Sequence, residues 1–317
     1  MSSKRIVIAL GGNAIKQADE EGTTEEQFKN IDITARELVK LIKEGYELVV
    51  THGNGPQAGA LLIQQEEAKD IVPAQTLAVC GAMTQGQIGW MMQNRISYYL
   101  LKQGIQIPVA SVVTQVLVSE DDPDFLNPTK PVGPFLTEEE ALKLKTEKNY
   151  IVKEVKPGQK KGWRRVVPSP APLDIVEREV VNRMLNEGIL VIACGGGGIP
   201  VIKNKEGGYD GIDAVIDKDR AGLKLAMAVN TDKFIILTDV EKAYLNYNKP
   251  NQQALNTITA DEAEHFLKEG HFLKGSMGPK VEACIYFARL SNREAIITSL
   301  DKVLNALNNE TGTHVIP

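Results

Sequence analysis

The residues of this sequence best suited to chemistry are a set of glycine-rich turns and three lysines. Gly11-Gly12-Asn13, His52-Gly53-Asn54-Gly55-Pro56 and Gly195-Gly196-Gly197-Gly198 each follow a short apolar run, and a fourth run ends in Thr238-Asp239-Val240. Glycine at such a point lets the backbone approach a ligand and aim several N–H groups at it. A helix starting there adds its partial positive charge. Phosphate or carboxylate is the natural guest. A tight turn alone accounts for any one of these glycine pairs, but their repetition after successive apolar runs favours anion binding.

The lysines are held by rigid or glycine-rich local sequence. Lys218 lies in Ile216-Asp217-Lys218-Asp219, just ahead of a helical pattern, and Lys280 lies in Gly275-Ser276-Met277-Gly278-Pro279-Lys280. Lys130 lies in the proline-rich stretch Asn127-Pro128-Thr129-Lys130-Pro131. A surface lysine is ordinarily only solvated; these three have settings that suit positioned cations. Phosphoryl transfer asks mainly for charge neutralised on the transferring group and little covalent work from the protein.

Two common phosphate motifs fail or fit poorly. Gly81 and Gly86 have P-loop spacing, but Gln87-Ile88 follows where Lys and Ser/Thr are required, so the segment reads as the start of a buried helix. Gly53, Gly55 and Ala58 match the dinucleotide pattern G-x-G-x-x-A. Pro56 interrupts that match, and no acidic residue closes a second strand about twenty positions later. A nicotinamide-dependent oxidoreductase and a non-catalytic nucleotide or anion sensor therefore stand as alternatives to a phosphoryl-transfer enzyme.

The elements that must position these residues alternate. Strands are expected over 5–10, 46–51, 107–114, 189–194, 233–238, 295–298 and 313–316. Helices are expected from a Thr23/Glu26 capping box to Gly45, over 173–186, 219–229 and 279–290, and after a Thr259/Glu262 capping box. A hairpin is signalled at Gly207-Gly208. Such alternation implies an α/β fold with an open, mainly parallel sheet, helices on both faces, and ligands beyond the carboxyl ends of the strands. Residues 119–170 break the rhythm with dense proline and little apparent helix. Phe135, Tyr150, Ile151 and Trp163 give the segment something to pack, so it reads as an inserted lid subdomain. The expected division is an N-terminal acceptor lobe over 1–188, with the lid at 119–168, and a C-terminal nucleotide lobe over 189–317.

The chain of 317 residues, 43% hydrophobic, is long enough for such a core, and its net charge of −5 argues against a duplex nucleic-acid binder. Cys80, Cys194 and Cys284 are too far apart for a zinc site and read as reduced, buried thiols, with Cys194 beside the glycine run the one candidate for reactivity. The apolar run at 6–10 is too short for a signal peptide and no run reaches membrane-spanning length, so a cytoplasmic protein is expected.

The ordered set of motifs resembles the carbamate kinases of the amino-acid-kinase fold. It comprises Gly11-Gly12-Asn13, His52-Gly53-Asn54-Gly55-Pro56-Gln57, Asn127-Pro128-Thr129-Lys130-Pro131-Val132-Gly133-Pro134, Gly162-Trp163-Arg164-Arg165-Val166-Val167-Pro168-Ser169-Pro170, Ile216-Asp217-Lys218-Asp219 and Ser276-Met277-Gly278-Pro279-Lys280. The resemblance runs from the first strand to Thr311-Gly312-Thr313. It implies reversible transfer between ATP and carbamate, giving ADP and carbamoyl phosphate, often running toward ATP in arginine or related catabolism, with Mg²⁺ and a homodimer. By the same resemblance Gly11, Gly12 and Asn13 would bind phosphate oxygens and line the carbamate pocket, and Gly53, Asn54 and Gly55 would hold the carbamoyl end. Lys130 would reach the transferring group, Lys218 and Lys280 would neutralise phosphate charge, and Asp219 would orient those lysines. Thr238, Asp239, Val240, Tyr244 and Met277, with Gly278, would surround the nucleotide, while the metal ligands stay unassigned. Gly195, Gly196 and Gly197 join the phosphate set as a strand-end glycine turn. Related amino-acid kinases carry Lys where this chain has Asn13, a missing charge that Lys130 would replace. Carbamate is already anionic, so no general base is needed, and His52 reads as a turn or pocket residue.

Overall fold

The chain, seen in a computed structural model, is described over residues 4–17, 19–273 and 275–317. Strand β1, Arg5–Leu10, is buried at every position after the first, as an apolar run covered on both faces requires. A 3₁₀ turn at Gly12–Ala14 follows, then helix α1, Thr24–Lys43, opened by the expected reciprocal Thr23/Glu26 capping box. Strand β2, Glu47–His52, leads through its glycine turn into α2, Gly55–Ala68, with Pro56 in the first turn where no N–H is needed. Gly81 and Gly86 fall inside α3, Leu77–Lys102, which starts at Thr76 as N-cap.

The strand expected over 107–114 is instead two, β3, Val109–Ser111, and β4, Gln115–Leu117, in different sheets. The break has a local cause. The Gln85 side chain bonds both the N–H and the carbonyl of Thr114, at 2.8 and 3.0 Å, which takes that N–H out of any ladder. The insert carries a sheet of its own. Strands β5, Lys130–Leu136, β6, Val152–Glu154, and β7, Trp163–Val167, form an antiparallel sheet in the order β5-β7-β6, separated in sequence by helix α4, Glu138–Lys148. The reading of little helix here is corrected by α4, whose Thr137/Glu140 capping box has the same form as the one at Thr23. The helix expected from 173 begins only at Arg178, because β8, Asp174–Ile175, pairs with β4 first; α5 is Arg178–Asn186.

Strand β9, Leu190–Ile192, precedes the hairpin β10, Ile199–Lys203, and β11, Tyr209–Gly211. Helix α6, Lys218–Ala228, and β12, Lys233–Thr238, follow. A short hairpin, β13, Tyr244–Leu245, and β14, Gln253–Ala254, then leads to β15, Thr257–Thr259, and α7, Ala260–Lys268. The chain closes with α8, Met277–Ser291, β16, Ala295–Ser299, α9, Val303–Leu307, and β17, Thr313–Ile316.

Eight strands form the central sheet in the order β15-β17-β16-β12-β1-β2-β9-β3. From β16 to β3 all pair parallel, and only β17 turns the sheet antiparallel, against β16. The twofold period of β1 divides the core. Val7 and Ala9 pack with α6 and α8 residues such as Leu225 and Phe287, while Ile6, Ile8 and Leu10 pack with Leu38, Ile88 and Met92 from α1 and α3. Each fully buried Leu or Ile adds about 1.5–3 kcal/mol, so two such layers hold the sheet rigid beneath its loops.

Candidate active site

The parallel strands β1, β2, β9 and β12 bring their carboxyl ends to one edge, and the cations converge there. Asp217 caps α6 by accepting from the backbone N–H of Asp219 at 2.9 Å, which places Lys218 and Asp219 in the first turn of the helix. Lys218 Nζ donates to Asp219 Oδ1 at 2.7 Å and Lys280 Nζ, from the first turn of α8, donates to Asp219 Oδ2 at 2.9 Å. Lys130 Nζ, at the start of the lid strand β5, reaches Asp217 Oδ2 at 3.1 Å. Asp219 is 2% exposed and Lys280 9%, so the central ion cluster is largely withdrawn from water.

Two ammoniums share the single Asp219 carboxylate, leaving this trio with one net positive charge. Burial pushes Lys218 below the usual lysine range, with Lys280 adding like-charge repulsion that Asp219 only partly offsets. Burial also opposes the charged form of Lys280, but there the Asp219 carboxylate prevails and the ammonium is held above its ordinary value. Burial likewise works against ionised Asp217, and Lys130 with the helix N–H outweighs it to keep that carboxyl below its usual range. The result is a fixed, partly dehydrated excess of positive charge at a helix N-terminus, suited to a multiply charged anion.

The glycines are fitted to these side chains. A Cβ on Gly53 would stand 3.2 Å from Lys218 Cδ and 3.7 Å from Gly12 Cα, so the stem of the lysine runs between two strand-end turns. Gly196, at φ +67, gives its missing side-chain space to Asn54, whose Nδ2 donates to Thr84 Oγ1 at 2.8 Å. Gly195 backs onto His52 and Gln85, and Gly197 onto the carbonyl of Ile216. Thr51 and Thr114 brace this turn, the first donating to Cys194 O at 3.0 Å and the second accepting from Cys194 N at 3.1 Å. His52 is buried, its pKa pushed down to about 4 by burial, and its Nδ1 lies 2.9 Å from Gly53 O. A neutral ring whose Nδ1–H donates to that carbonyl satisfies both observations. Burial raises the thiols of Cys80, Cys194 and Cys284, which removes Cys194 as a reactive group.

Three cavities open near the strand ends, one of them lined by Lys130. One of about 120 Å³ is lined by Asn54, Gly55 and Gly196 and by Lys130, Gly133 and Arg164 of the insert. A second, of about 200 Å³, is lined by Thr238, Asp239, Val240, Tyr244 and Met277. A third, of about 380 Å³, takes in Gly11, Asn13, Thr238, Asp239 and Asp301.

The model of the amino acid kinase family matches residues 4–299. A carbamate kinase of Thermococcus kodakarensis is 51% identical over 99% of both chains, and one of Pyrococcus furiosus is 49% identical over the same shares. The solved structure of Giardia lamblia carbamate kinase bound to AMP-PNP superposes with a TM-score of 0.94 at 45% identity, covering 99% of each chain. This chain belongs to the amino acid kinase family, in its carbamate kinase branch.

Within this carbamate kinase fold, the structure brings together Lys218, Asp219 and Lys280, with Lys130 alongside, and sets Asn54, Gly55 and Gly196 against Lys130. Gly195 and Gly197 turn the chain without lining the small cavity, and Gly278 is buried in the first turn of α8 behind Leu273. Gly11 and Asn13 open onto the third cavity, and Gly12 lies between it and Gly53. The sequence reading missed Tyr247, His271 and Phe272, which complete the second cavity. It also passed over Asp217 as a functional residue, although its place before a helix pattern is an N-cap signal. Thr84, Gln85 and Thr114 carried no such signal, since only the tertiary fold brings them to the turns they brace.

Proposed function

We propose that this chain transfers a phosphoryl group reversibly between ATP and carbamate, giving ADP and carbamoyl phosphate, and works mainly toward ATP in the catabolism of arginine or related compounds. The observation that carries this is the ion cluster. Lys218 and Lys280 are fixed by one buried carboxylate, and Lys130 comes from the lid to the adjoining Asp217. Phosphoryl transfer is catalysed by positioning and by neutralising charge on the transferring group, and these are the two things this cluster provides. The 200 Å³ cavity beside it, lined by Tyr244 and Met277, suits a nucleoside, and the AMP-PNP held by the Giardia lamblia relative supports ATP as donor. The 120 Å³ cavity suits an acceptor no larger than carbamate. Carbamate needs no proton removed before attack, in keeping with a neutral, buried His52.

In this reading residues 1–188 hold the acceptor, under the lid of 119–168, and 189–317 hold the nucleotide. Gly11, Gly12 and Asn13 meet the phosphate oxygens, and Gly53, Asn54 and Gly55 the carbamoyl end. Among the described residues no group of three or more His, Cys, Asp or Glu side chains could hold a metal ion. The donor set therefore fits a Mg²⁺ carried on nucleotide phosphates, where it would add charge neutralisation, and does not form a cage for it. Val79, Met83 and Trp90 stand exposed along α3, and these apolar side chains at the surface support a homodimer. No helix among the described residues is long and apolar enough to cross a membrane, in keeping with a cytoplasmic place. The Lys218-Asp219-Lys280 arrangement could bind an anion in a sensor too, and the full-length identity to carbamate kinases favours the enzyme. An oxidoreductase would need a second strand closed by an acidic residue about twenty positions after the Gly53/Gly55/Ala58 turn, and α2 is followed there by α3 instead.

The test is ATP formation from ADP and carbamoyl phosphate, followed through a coupled enzyme assay, with wild type and Lys130→Ala. Wild type is expected to turn over, and Lys130→Ala to lose about 100-fold in kcat, as for a lost transition-state donor, while ADP affinity is kept. A wild type without turnover, or a Lys130→Ala variant of near-normal activity, would refute the assignment.

A further inference from the structure

Arg164 is the one basic residue of the lid strands whose surroundings do not explain it. Its neighbour Arg165 stacks 3.8 Å from the Tyr150 ring centroid and pairs with Asp213 at 2.5 Å, and Lys130 pairs with Asp217. Arg164 donates from Nη2 to the carbonyl of Gly133 at 2.7 Å and lies 5.0 Å from the Phe135 ring centroid. Its Nε is shielded from solvent and, among the described residues, has no hydrogen-bond partner. No carboxylate stands near enough to shift its titration, and burial alone pushes the guanidinium below its ordinary value. Lys156 lies over the same Phe135 ring at 4.4 Å, so the nearest charge on that ring is also positive.

A half-buried cation with a shielded, unmet N–H is costly, and an anion would offset that cost. The cavity that Arg164 borders ends, on its far side, at Asn54 and Gly196. The bulge in β5 between Val132 and Leu136 is what turns Gly133 toward β7 and fixes the guanidinium by its Nη2. The Nε–H and the second Nη2 hydrogen lie on one edge of the guanidinium plane, the edge that matches two oxygens of a planar anion.

We propose that Arg164 is a specificity-determining residue that recognises, through its guanidinium fork, the two carbon-bound oxygens of the planar carbamate or carbamoyl end in the small cavity beside it. The inference rests on the carbamate reading of that cavity. Asn54 and the glycine turns supply neutral hydrogen bonds from the sheet edge, Lys130 faces the transferring phosphoryl group, and Arg164 supplies a charged fork for the two oxygens that stay on carbon in both carbamate and carbamoyl phosphate. Arg164 contributes to binding of the acceptor and not to nucleotide binding, which takes place beyond Lys218.

The test compares full-length wild type, Arg164→Met and Arg164→Lys in ATP formation from ADP and carbamoyl phosphate, with thermal melting of each. Arg164→Met is expected to raise the KM for carbamoyl phosphate about tenfold or more, leave the KM for ADP within twofold, and melt no lower than wild type. Arg164→Lys, which keeps the charge but loses the fork, is expected to recover part of the loss. An unchanged KM for carbamoyl phosphate in an active Arg164→Met overturns the inference. So does a lowered melting temperature with both KM values rising together, the mark of a purely structural residue. A wild type that makes no ATP overturns the carbamate reading and this inference with it.

Discussion

Replacing Asp219 with Asn is the sharpest perturbation of the proposed site. The amide fills the same volume, so packing around this 2%-exposed residue is kept. What is lost is the charge shared by Lys218 at 2.7 Å and Lys280 at 2.9 Å, each a charge-assisted bond worth about 1.5–3 kcal/mol. Removing one member of a buried ionic group costs about 3–5 kcal/mol, because the partners stay buried without compensation. Part of that cost is relieved by deprotonation of Lys218, whose pKa burial already depresses. The variant should therefore fold but be less stable, and should lose about 10²–10³ in kcat, or roughly 3–4 kcal/mol of transition-state stabilisation. The loss should deepen as pH rises, since Lys218 without its carboxylate gives up its proton at a lower pH than in wild type. The assay is ATP formation from ADP and carbamoyl phosphate across pH 6 to 9, with circular dichroism to confirm folding. A folded Asp219→Asn variant within threefold of wild type at every pH would refute the view that this carboxylate positions the two ammoniums.

Two further outcomes follow from the geometry. Gly196→Ala forces a side chain into a φ of +67 against Asn54, at a cost of about 1–2 kcal/mol; it should lower the melting temperature by a few degrees and raise the KM for carbamoyl phosphate, and no change in either would show that the turn does not hold Asn54. In β17 both ring nitrogens of His314 face acceptors, Glu294 Oε1 at 2.6 Å and Thr311 O at 2.8 Å. The bond to Glu294 raises the imidazolium above its ordinary 6.5, so its stabilisation is full below pH 6.5 and is lost as pH rises through the folded value. Burial opposes ionised Glu294, but His314 and Lys233 outweigh it and hold the carboxyl at about 2, so its contribution is present above pH 4.5 and lost only in strong acid. Thermal melts should show stability falling on the alkaline side of pH 6.5 in wild type and a flatter profile in His314→Gln; identical profiles would refute the linkage.

Much of the fold was legible because its signals are local. The run Arg5–Leu10 is buried on both faces, and the Thr23 and Thr259 capping boxes open α1 and α7 where expected. The failures were also local in origin but tertiary in cause. Gln85, 29 positions before Thr114, bonds it and splits the third strand. β8 forms before α5 because β4 is there to pair with it. Helix α4 was legible and passed over, since proline density in the insert drew attention away from Thr137 and Glu140.

The candidate site divides in the same way. Residue type and spacing alone marked the glycine turns and Lys130, Lys218, Asp219 and Lys280, because turns that need glycine and lysines beside caps are written in neighbouring residues. Only the tertiary structure decided that Lys130 meets Asp217, that one carboxylate serves two lysines, that Gly196 rather than Gly195 or Gly197 faces the small cavity, and that Arg164 is left without a countercharge. Those pairings span long stretches of chain, and a charge is satisfied or left unmet by whatever side chains the parallel sheet and the lid bring beside it.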